Sequence, residues 1–338
     1  MKHFDMKVLL YTGSEKVFTQ SGIGEALRHQ KKMLKNLNIP FTENPDEAYD
    51  VVHLNTVLPD SLWMARKARS KGKKVIYYGH STMEDFMNSF RGSNLVAPLF
   101  KKWLQTCYRQ GDMIITPTEY SKELLLGYDL NKPIFSLSNG VDTTFFSKSK
   151  KSGDRFRKKF ALTNTQKAII SVGHLIDRKG IIDFIALAAK YPEYSFYWFG
   201  NTPKSLITSA VQKAINQATS NVHFPGFISP EELHDAYSGC DLFLFMTYEE
   251  TEGIVLLEAL ANETPVLVRD IPIYKKWLPD KEVVYKARTQ SEFEDVIPLI
   301  LEEKLPSLTA NGRQEALRLD IKKVSLDLAI LYNKLLDV

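Results

Sequence analysis

Short apolar runs rich in β-branched and aromatic residues alternate with longer amphipathic segments along the first 140 residues. The segment 24–37, GEALRHQKKMLKNL, has the apolar spacing of a helix. Strands are predicted at residues 7–13, 50–55, 73–80, 112–118 and 133–140. Because helical segments lie between most of these runs, the pattern predicts βαβ units and a mostly parallel sheet.

The same alternation restarts after a polar, basic stretch at 147–166. Further strands are predicted at residues 168–174, 195–200, 222–226, 242–246 and 265–268. Apolar residues at helical spacing predict a last helix at about 311–335. The pattern therefore predicts two doubly wound α/β domains that face each other across a deep cleft, with ligands beyond the carboxyl ends of the strands. The predicted units are an N-terminal domain at 1–150, a C-terminal domain at 151–315, and a C-terminal helix at 316–338 that is free to cross back to the N-terminal domain.

Length and composition agree with a two-domain globular protein, because 338 residues are too many for one ordinary core. The two cysteines, Cys107 and Cys240, form neither a disulfide framework nor a zinc pattern. No apolar run approaches the ~20 residues that span a bilayer, and the N-terminus has the pattern of a first strand rather than of a signal peptide. A cytoplasmic protein is expected.

A local excess of positive charge lies in residues 62–111. This segment contains ten Lys or Arg residues and two acids, Glu84 and Asp85, which leaves it at +8, whereas the whole chain carries +4. Such a patch attracts phosphate groups, whether in nucleic acids, nucleotides or anionic lipids.

Two acidic residues flank an otherwise small or apolar run, ETEGIVLLE, at 250–258. The run follows a predicted strand and opens a predicted helix, whose free N–H groups and dipole favour a phosphate or an oxygen-rich ligand. Glu250 would lie over that helix end, and Glu258, on the second turn, could accept two hydrogen bonds from a vicinal diol. The ordinary alternative is a solvated loop acid at Glu250 and an exposed helix face at Glu258, and two acids alone favour it.

Other predicted strand ends carry residues suited to phosphate or sugar binding. Arg178 and Lys179 lie in a Gly-containing loop where cations suit a diphosphate, although a solvated loop is about equally expected. Gly22 and Gly24 would let the backbone approach a phosphate, but they do not complete a dinucleotide fingerprint. His80 ends a strand, a position that favours a role in the cleft at least as much as a structural one.

A predicted helix at 95–109 has an apolar face with cations mainly elsewhere. The residues of that face are Val96, Leu99, Phe100, Trp103 and Cys107. This distribution suits a helix in a membrane interface, whereas an ordinary core helix with a solvated basic face is the commoner case. The basic cluster at 66–74 and the apolar stretch MEDFMNSF before the helix favour the membrane.

Taken together, these motifs resemble retaining glycosyltransferases of family 4, which have the GT-B fold of two facing Rossmann-like domains. The most specific match is ETEGIVLLE at 250–258, which resembles the Glu-x7-Glu motif of that family. Supporting matches occur in the order of the family: SGIG, YYGHST, SNGVDTTFF, VGHLIDRKG and FPGFISPEELHDAYSGCDLFL. The resemblance extends over the whole chain.

The resemblance implies a donor site around the motif ETEGIVLLE at 250–258. Glu250 is expected to contact the hydroxyls of the donor sugar, and Glu258 the ribose diol of the nucleotide. The amides of Gly253, Ile254 and Val255 are expected to hold the sugar and the phosphate.

The remaining implied donor contacts come from other loops. Lys179 is expected to pair with the diphosphate, Gly22 to lie against the phosphate, and Phe227 to border the base. His80 is expected to contact the transferred sugar from the N-terminal domain. One position departs from the family: His174 stands where Arg is usual. Arg178, beside Lys179, is a candidate to supply the missing charge.

The segment 80–108 has a closer resemblance, to the acceptor side of bacterial enzymes that add a second hexose to monoglucosyl-diacylglycerol. The implied membrane or acceptor residues are Phe86, Phe90, Leu99, Phe100, Lys101, Lys102 and Trp103. The resemblance implies a hexosyltransferase that moves glucose or galactose from UDP-glucose or UDP-galactose to a membrane glycolipid. Such an enzyme is expected on an anionic membrane surface, as a peripheral protein of the inner face of the cell membrane.

Two alternative functions stay open on sequence alone: a family 4 enzyme acting on a cell-wall or capsular glycan, and a GT-B nucleotide-sugar epimerase. No metal is expected to be required, because cations and a helix N-terminus can stabilise a diphosphate leaving group and no Asp-x-Asp pair stands at a strand end. Nucleic acid is not an expected partner, because no recognised binding motif accompanies the basic patch.

Overall fold

The computed structural model describes residues 5–13 and 22–336, and within them it contains two six-stranded sheets. Strands pair in parallel throughout both sheets. Parallel strands need crossover connections, which place helices over the sheet faces. Central strands such as Val51–Leu54 and Leu242–Phe245 are consequently buried along their whole length.

The N-terminal sheet is built from the first part of the chain. Its strands are β1 Val8–Tyr11, β2 Phe41–Thr42, β3 Val51–Leu54, β4 Lys74–Tyr78, β5 Met113–Thr116 and β6 Ile134–Ser136. Its helices are α1 Gly22–Asn36, α2 Pro59–Ser70, α3 Met83–Phe86, α4 Ser93–Tyr108 and α5 Glu119–Leu126. The strand order is β2-β1-β3-β4-β5-β6.

The C-terminal sheet follows α6, Lys150–Lys159. Its strands are β7 Ala168–Val172, β8 Ser195–Phe199, β9 Val222–Gly226, β10 Leu242–Phe245, β11 Val266–Arg269 and β12 Tyr285–Ala287. Its helices are α7 Ile181–Lys190, α8 Ser209–Asn216, α9 Pro230–Gly239, α10 Ile254–Ala261, α11 Tyr274–Trp277, α12 Gln290–Leu301 and α13 Thr309–Arg318. The strand order is β12-β11-β10-β7-β8-β9.

All ten strands predicted from apolar runs are present in the two sheets. The sequence pattern does not predict β2 and β12, which lie at sheet edges and have two and three residues. Runs of this length are too short to show the alternation on which a strand prediction depends.

The single helix predicted at about 311–335 is wrong, because the chain forms α13 and then α14, Ile321–Leu336. At the break, Val141 N–H donates to the Leu319 carbonyl at 3.0 Å, and Ile321 N–H donates to the Val141 carbonyl at 2.9 Å. These bonds replace the helical ones at residues 319–321. Beyond them α14 packs on α1, with Leu328 and Leu331 in the same buried cluster as Met33. The C-terminal helix therefore returns to the N-terminal sheet.

Candidate active site

The loop between β10 and α10 lies where the C-terminal half of the chain contacts the N-terminal half. Gly253 ends it with a left-handed φ of +89°, and a Cβ at this position would lie 3.2 Å from the Phe245 ring. Only glycine adopts this turn without strain. From the N-terminal side, Thr118 Oγ1 donates to the Thr251 carbonyl at 2.9 Å. The N-terminus of α10 is thus held by both halves of the molecule.

Glu250 lies in this loop and forms an ion pair with Lys179. Both side chains are largely buried, with 7% of Glu250 and 15% of Lys179 exposed. Lys179 Nζ also lies 5.9 Å from the centroid of the Phe245 ring. The alternative of a solvated loop acid at Glu250 is therefore wrong. The fold brings one cation and one carboxylate together beside the N-terminus of α10.

Glu258 lies on the second turn of α10 and is 3% exposed. The Tyr237 hydroxyl is 3.1 Å from Glu258 Oε2 and 2.9 Å from the Val255 carbonyl oxygen. Burial, and next the charge of Glu25, raise the pKa of Glu258 above its ordinary value. The alternative of an exposed helix face is therefore wrong, and Glu258 is an interior acid.

The Arg178 guanidinium is bound to residues of the N-terminal half. Nη1 lies 2.8 Å from Asp85 Oδ1, and Nε donates to Ser89 Oγ at 3.1 Å. Nη1 also donates to the Glu249 carbonyl at 2.7 Å. Because these partners surround the guanidinium, the geometry disfavours Arg178 as the residue that replaces the usual phosphate-binding arginine.

Two predicted site residues are histidines whose burial favours the neutral ring. His174 Nδ1 lies 2.9 Å from the Asn201 carbonyl oxygen, and burial lowers its pKa. His80 Nε2 lies 2.9 Å from Asn55 Oδ1, and burial lowers the pKa of His80 to about 4. Burial thus disfavours a positive charge on either histidine.

The other predicted donor residues lie at helix and loop ends. Gly22 begins α1, and among the described residues none lies within 4 Å of a Cβ placed there. Residues 18–21 of the predicted glycine motif lie outside the described residues. Ile254 begins α10 and is buried, whereas Val255 is half-buried. Phe227 is exposed at the end of β9.

Glu252 and Asn139 join the site although the sequence pattern does not single them out. Glu252 Oε2 accepts hydrogen bonds from Asn139 N at 3.1 Å and Asn139 Nδ2 at 2.7 Å. Burial raises the pKa of Glu252, and likewise that of Glu249, to about 7. The sequence did contain one signal for a buried acid at Glu252, the run EETE at 249–252. Three acids within four residues need compensating partners when they are buried.

Helix α4 exposes apolar side chains on its outer surface. Leu95 and Leu99 are 87% and 69% exposed, and Val96 is exposed as well. Cys107, predicted on the same face, is instead fully buried together with Leu104. Cys107 therefore does not share the exposure of Val96 and Leu99, because the C-terminal end of the helix packs into the core. The other residues of the predicted face, Val96, Leu99, Phe100 and Trp103, lie together.

An apolar hollow of about 560 Å³ lies beside α4. It is lined by Phe86, Val96, Leu99, Phe100, Lys102, Trp103 and Thr106. Phe86 stacks on Phe100 with ring centroids 4.0 Å apart, and Phe90 packs on Phe86 edge to face at 4.9 Å. Lys101 instead lies over the Tyr128 ring, 4.4 Å from its centroid. The fold thus gathers five of the seven predicted acceptor residues around one hollow.

Comparison with known proteins identifies the family. Residues 28–145 match the profile described as Glycosyltransferase Family 4, and residues 152–317 match Glycosyl transferases group 1. The processive diacylglycerol alpha-glucosyltransferase of Acholeplasma laidlawii is 40% identical over 334 residues, which cover 98% of this chain and 99% of that protein. The chain belongs to glycosyltransferase family 4. This family 4 enzyme is also 26% identical, over 81% of its length and 75% of the relative's, to the alpha-galactosylglucosyldiacylglycerol synthase of Streptococcus pneumoniae.

Solved structures share the fold of this glycosyltransferase at low sequence identity. The Anabaena protein Alr3699/HepE in complex with UDP-glucose has a TM-score of 0.75 and 17% identity, over 97% of this chain and 100% of that chain. Sucrose-phosphate synthase from Thermosynechococcus elongatus has a TM-score of 0.72 and 19% identity, over 86% and 74% of the two chains. The predicted GT-B fold and the predicted enzyme class are confirmed.

Two further properties of the described residues concern membranes and metals. Of the helices within residues 5–13 and 22–336, none combines the length and apolar character needed to cross a membrane. In the same part of the family 4 enzyme, no group of three or more His, Cys, Asp and Glu side chains is placed to hold a metal ion.

Proposed function

We propose that this enzyme is a retaining hexosyltransferase that moves glucose or galactose from a UDP-sugar to a membrane glycolipid such as monoglucosyl-diacylglycerol. The observation that carries the proposal is the 40% identity, over nearly the full length of both proteins, to a relative named for glucosyl transfer to diacylglycerol. The Streptococcus pneumoniae relative is named for a galactosyl product on the same kind of lipid, which keeps both hexoses in the proposal.

The donor diphosphate binds at Lys179 and at the N-terminus of α10. Lys179 forms an ion pair with Glu250, and both side chains are largely buried. The diphosphate replaces Glu250 as the partner of Lys179, and the N–H groups of Gly253–Val255 add to the positive potential. Together these groups stabilise the charge that develops on the leaving UDP.

The released Glu250 carboxylate accepts hydrogen bonds from the donor sugar, close to the anomeric carbon. His80, whose lowered pKa keeps it neutral, approaches the sugar from the end of β4. Glu258 accepts hydrogen bonds from the ribose diol, with the Tyr237 hydroxyl 3.1 Å away to orient it. Gly22 lies against a phosphate at the start of α1, and the exposed Phe227 ring borders the base.

The name of the first relative and the chemistry of the donor support retention of configuration. UDP-glucose carries glucose in α linkage, and the first relative is named as an alpha-glucosyltransferase. The acceptor hydroxyl attacks from the face that UDP leaves, and a donor phosphate oxygen accepts its proton. Glu250 stabilises charge in this step and forms no covalent bond.

The glycolipid acceptor reaches the site along α4. The exposed Leu95 and Leu99 enter the lipid, and Lys102 at the rim of the hollow faces anionic headgroups. The net charge of +8 on residues 62–111 adds a long-range attraction to the same surface. This arrangement supports a peripheral protein on an anionic membrane.

The test is a paired assay with vesicles that contain diacylglycerol or monoglucosyl-diacylglycerol, each supplied with UDP-glucose or UDP-galactose. Product mass and linkage identify the acceptor, the sugar and the anomeric configuration. Lys179→Met, which keeps the apolar stem and removes the charge, is the control and is expected to abolish turnover. Absence of lipid product with both donors, or a β-linked product, would overturn the proposal.

A flotation assay tests the membrane part of the proposal separately. Binding to vesicles with anionic lipid at low salt, weakened as salt rises, is the expected result. Labelling of a soluble glycan by an enzyme that does not float would move the acceptor to the cell-wall or capsular class.

A further inference from the structure

A buried hydrogen-bond network connects the donor loop to the N-terminal half of the molecule. Glu252, which directly precedes Gly253, is 2% exposed, and Asn139, which follows β6, is 7% exposed. One carboxylate oxygen of Glu252 accepts from both the backbone and the side-chain amide of Asn139. The Ser138 side chain is a further hydrogen-bond partner of Glu252.

Asn139 is held from its other side by α1. Its carbonyl oxygen lies 3.1 Å from His29 Nδ1, and His29 is buried. Because a carbonyl only accepts, His29 Nδ1 must carry a hydrogen. His29 Nε2 lies 3.1 Å from Glu25 Oε1. The chain from Glu25 to Glu252 is therefore continuous and connects α1 to the donor loop.

The network contacts the segment 251–253, which orients the N–H groups that are proposed to bind the donor. The φ of +89° at Gly253 aims the first N–H groups of α10, and Glu252 is its immediate neighbour. Thr118 holds the carbonyl of Thr251 one residue earlier. Two contacts from the N-terminal half, through Thr118 and Asn139, thus hold the backbone at 251–253 in this arrangement of the two halves.

We propose that Glu252 and Asn139 are positioning residues, which set the geometry of the donor loop only when the two domains are closed. UDP binding to the open enzyme uses the C-terminal domain and does not need the pair. Turnover needs the closed enzyme, in which a displacement of about 1 Å at a reacting group can cost ~100-fold in rate. This inference rests on the proposed function, because it takes α10 as the donor site.

The test compares Glu252→Ala, Asn139→Ala and the double variant. We expect kcat to fall roughly 10- to 100-fold in each, while the Kd for UDP by calorimetry changes less than about threefold. The double variant is expected to lose no more than a single one, because both remove the same interaction. Glu252→Gln, which retains an acceptor for Asn139, is expected to recover most of the turnover.

The matched control breaks a different contact between the two halves. Lys276 Nζ lies 3.2 Å from Glu123 Oε1 in an exposed ion pair, far from the donor loop in sequence. Glu123→Ala is expected to leave kcat unchanged, since exposed pairs contribute little. Melting temperatures of all variants show whether any loss of turnover comes from unfolding.

Unchanged kcat in folded Glu252→Ala and Asn139→Ala would overturn the inference. So would equal losses in kcat and UDP affinity, or additive losses in the double variant. Failure of the proposed function gives a different result: wild-type enzyme that does not bind UDP, or that forms no glycolipid.

Discussion

Replacement of Glu252 by Gln is expected to change how the stability of the enzyme depends on pH. Burial raises the pKa of Glu252 from an ordinary 4.5 to about 7 in the folded protein. Below pH 4.5 the carboxyl group is protonated in both states. Between 4.5 and 7 the unfolded chain ionises while the folded protein keeps its proton, so stability falls as pH rises. Glutamine has the shape of the protonated acid and does not titrate.

The size of this change in unfolding free energy follows from the pKa values of Glu252 in the unfolded and folded states. At ~1.4 kcal/mol per pH unit, the step from 4.5 to about 7 amounts to about 3 kcal/mol for a group that is 2% exposed. For a chain of this length, ~3 kcal/mol corresponds to roughly 4 °C in melting temperature. The wild-type enzyme is therefore expected to lose about that much relative to Glu252→Gln as pH rises from 5 to 8.

The assay is thermal unfolding of both proteins across that pH range, and the difference between the two curves is the quantity of interest. Glu249, also raised to about 7, and the histidines His53 and His80, lowered to about 3 and about 4, titrate in both proteins and cancel. Curves that stay parallel within about 1 °C would show that Glu252 is not an interior acid with a raised pKa.

Three further predictions concern the proposed site. Glu258→Ala is expected to weaken UDP binding roughly 10- to 100-fold by calorimetry, because the hydrogen bonds from the ribose hydroxyls to the Glu258 carboxyl group are lost. Tyr237→Phe is expected to have a smaller effect, and equal affinities in wild type and Glu258→Ala would remove the ribose assignment. Glu250→Ala is expected to lower kcat about 100-fold or more while UDP binding changes less than about threefold, and a loss confined to binding would contradict that role. Leu95→Glu combined with Leu99→Glu is expected to reduce vesicle binding roughly 10- to 100-fold, since each leucine contributes about 1.5–3 kcal/mol when buried in lipid. The control is Leu326→Glu, at an exposed position of α14. Equal losses in the double variant and the control would argue against α4 as the membrane surface.

Apolar periodicity predicted most of the fold because strand and helix formation depends on local patterns. Runs such as DVVHLN at 50–55 are apolar enough to be buried on both faces of a sheet, and β3 lies there. The same reasoning failed at residues 319–321, where hydrogen bonds to Val141, distant in sequence, interrupt a helix whose own spacing is continuous. It also failed at Cys107, whose burial depends on which side of α4 the sheet covers.

The candidate site likewise combines residues that the sequence predicted with contacts that it did not. Glu250, Lys179 and Glu258 stood out from the sequence because they occur in motifs that resemble those of one family in the same order, whereas their charges alone fitted ordinary solvated positions as well or better. That Lys179 pairs with Glu250, whereas the neighbouring Arg178 pairs with Asp85, could not be read from adjacent positions in one loop. Glu252 could not be distinguished from Glu249 without the position of Asn139, which is 113 residues away.

The sequence by itself determined the family, the two parallel sheets and the acids of the donor loop, because each depends on residues close together along the chain. Tertiary structure alone decided which charges are buried, which cation meets which carboxylate, and which leucines of α4 face solvent. Those properties depend on how helices and loops pack on each sheet and on how the two sheets lie against each other. Burial and pairing are set by neighbours in space, and residues such as Asn139 and Glu252 become neighbours only when the chain has folded.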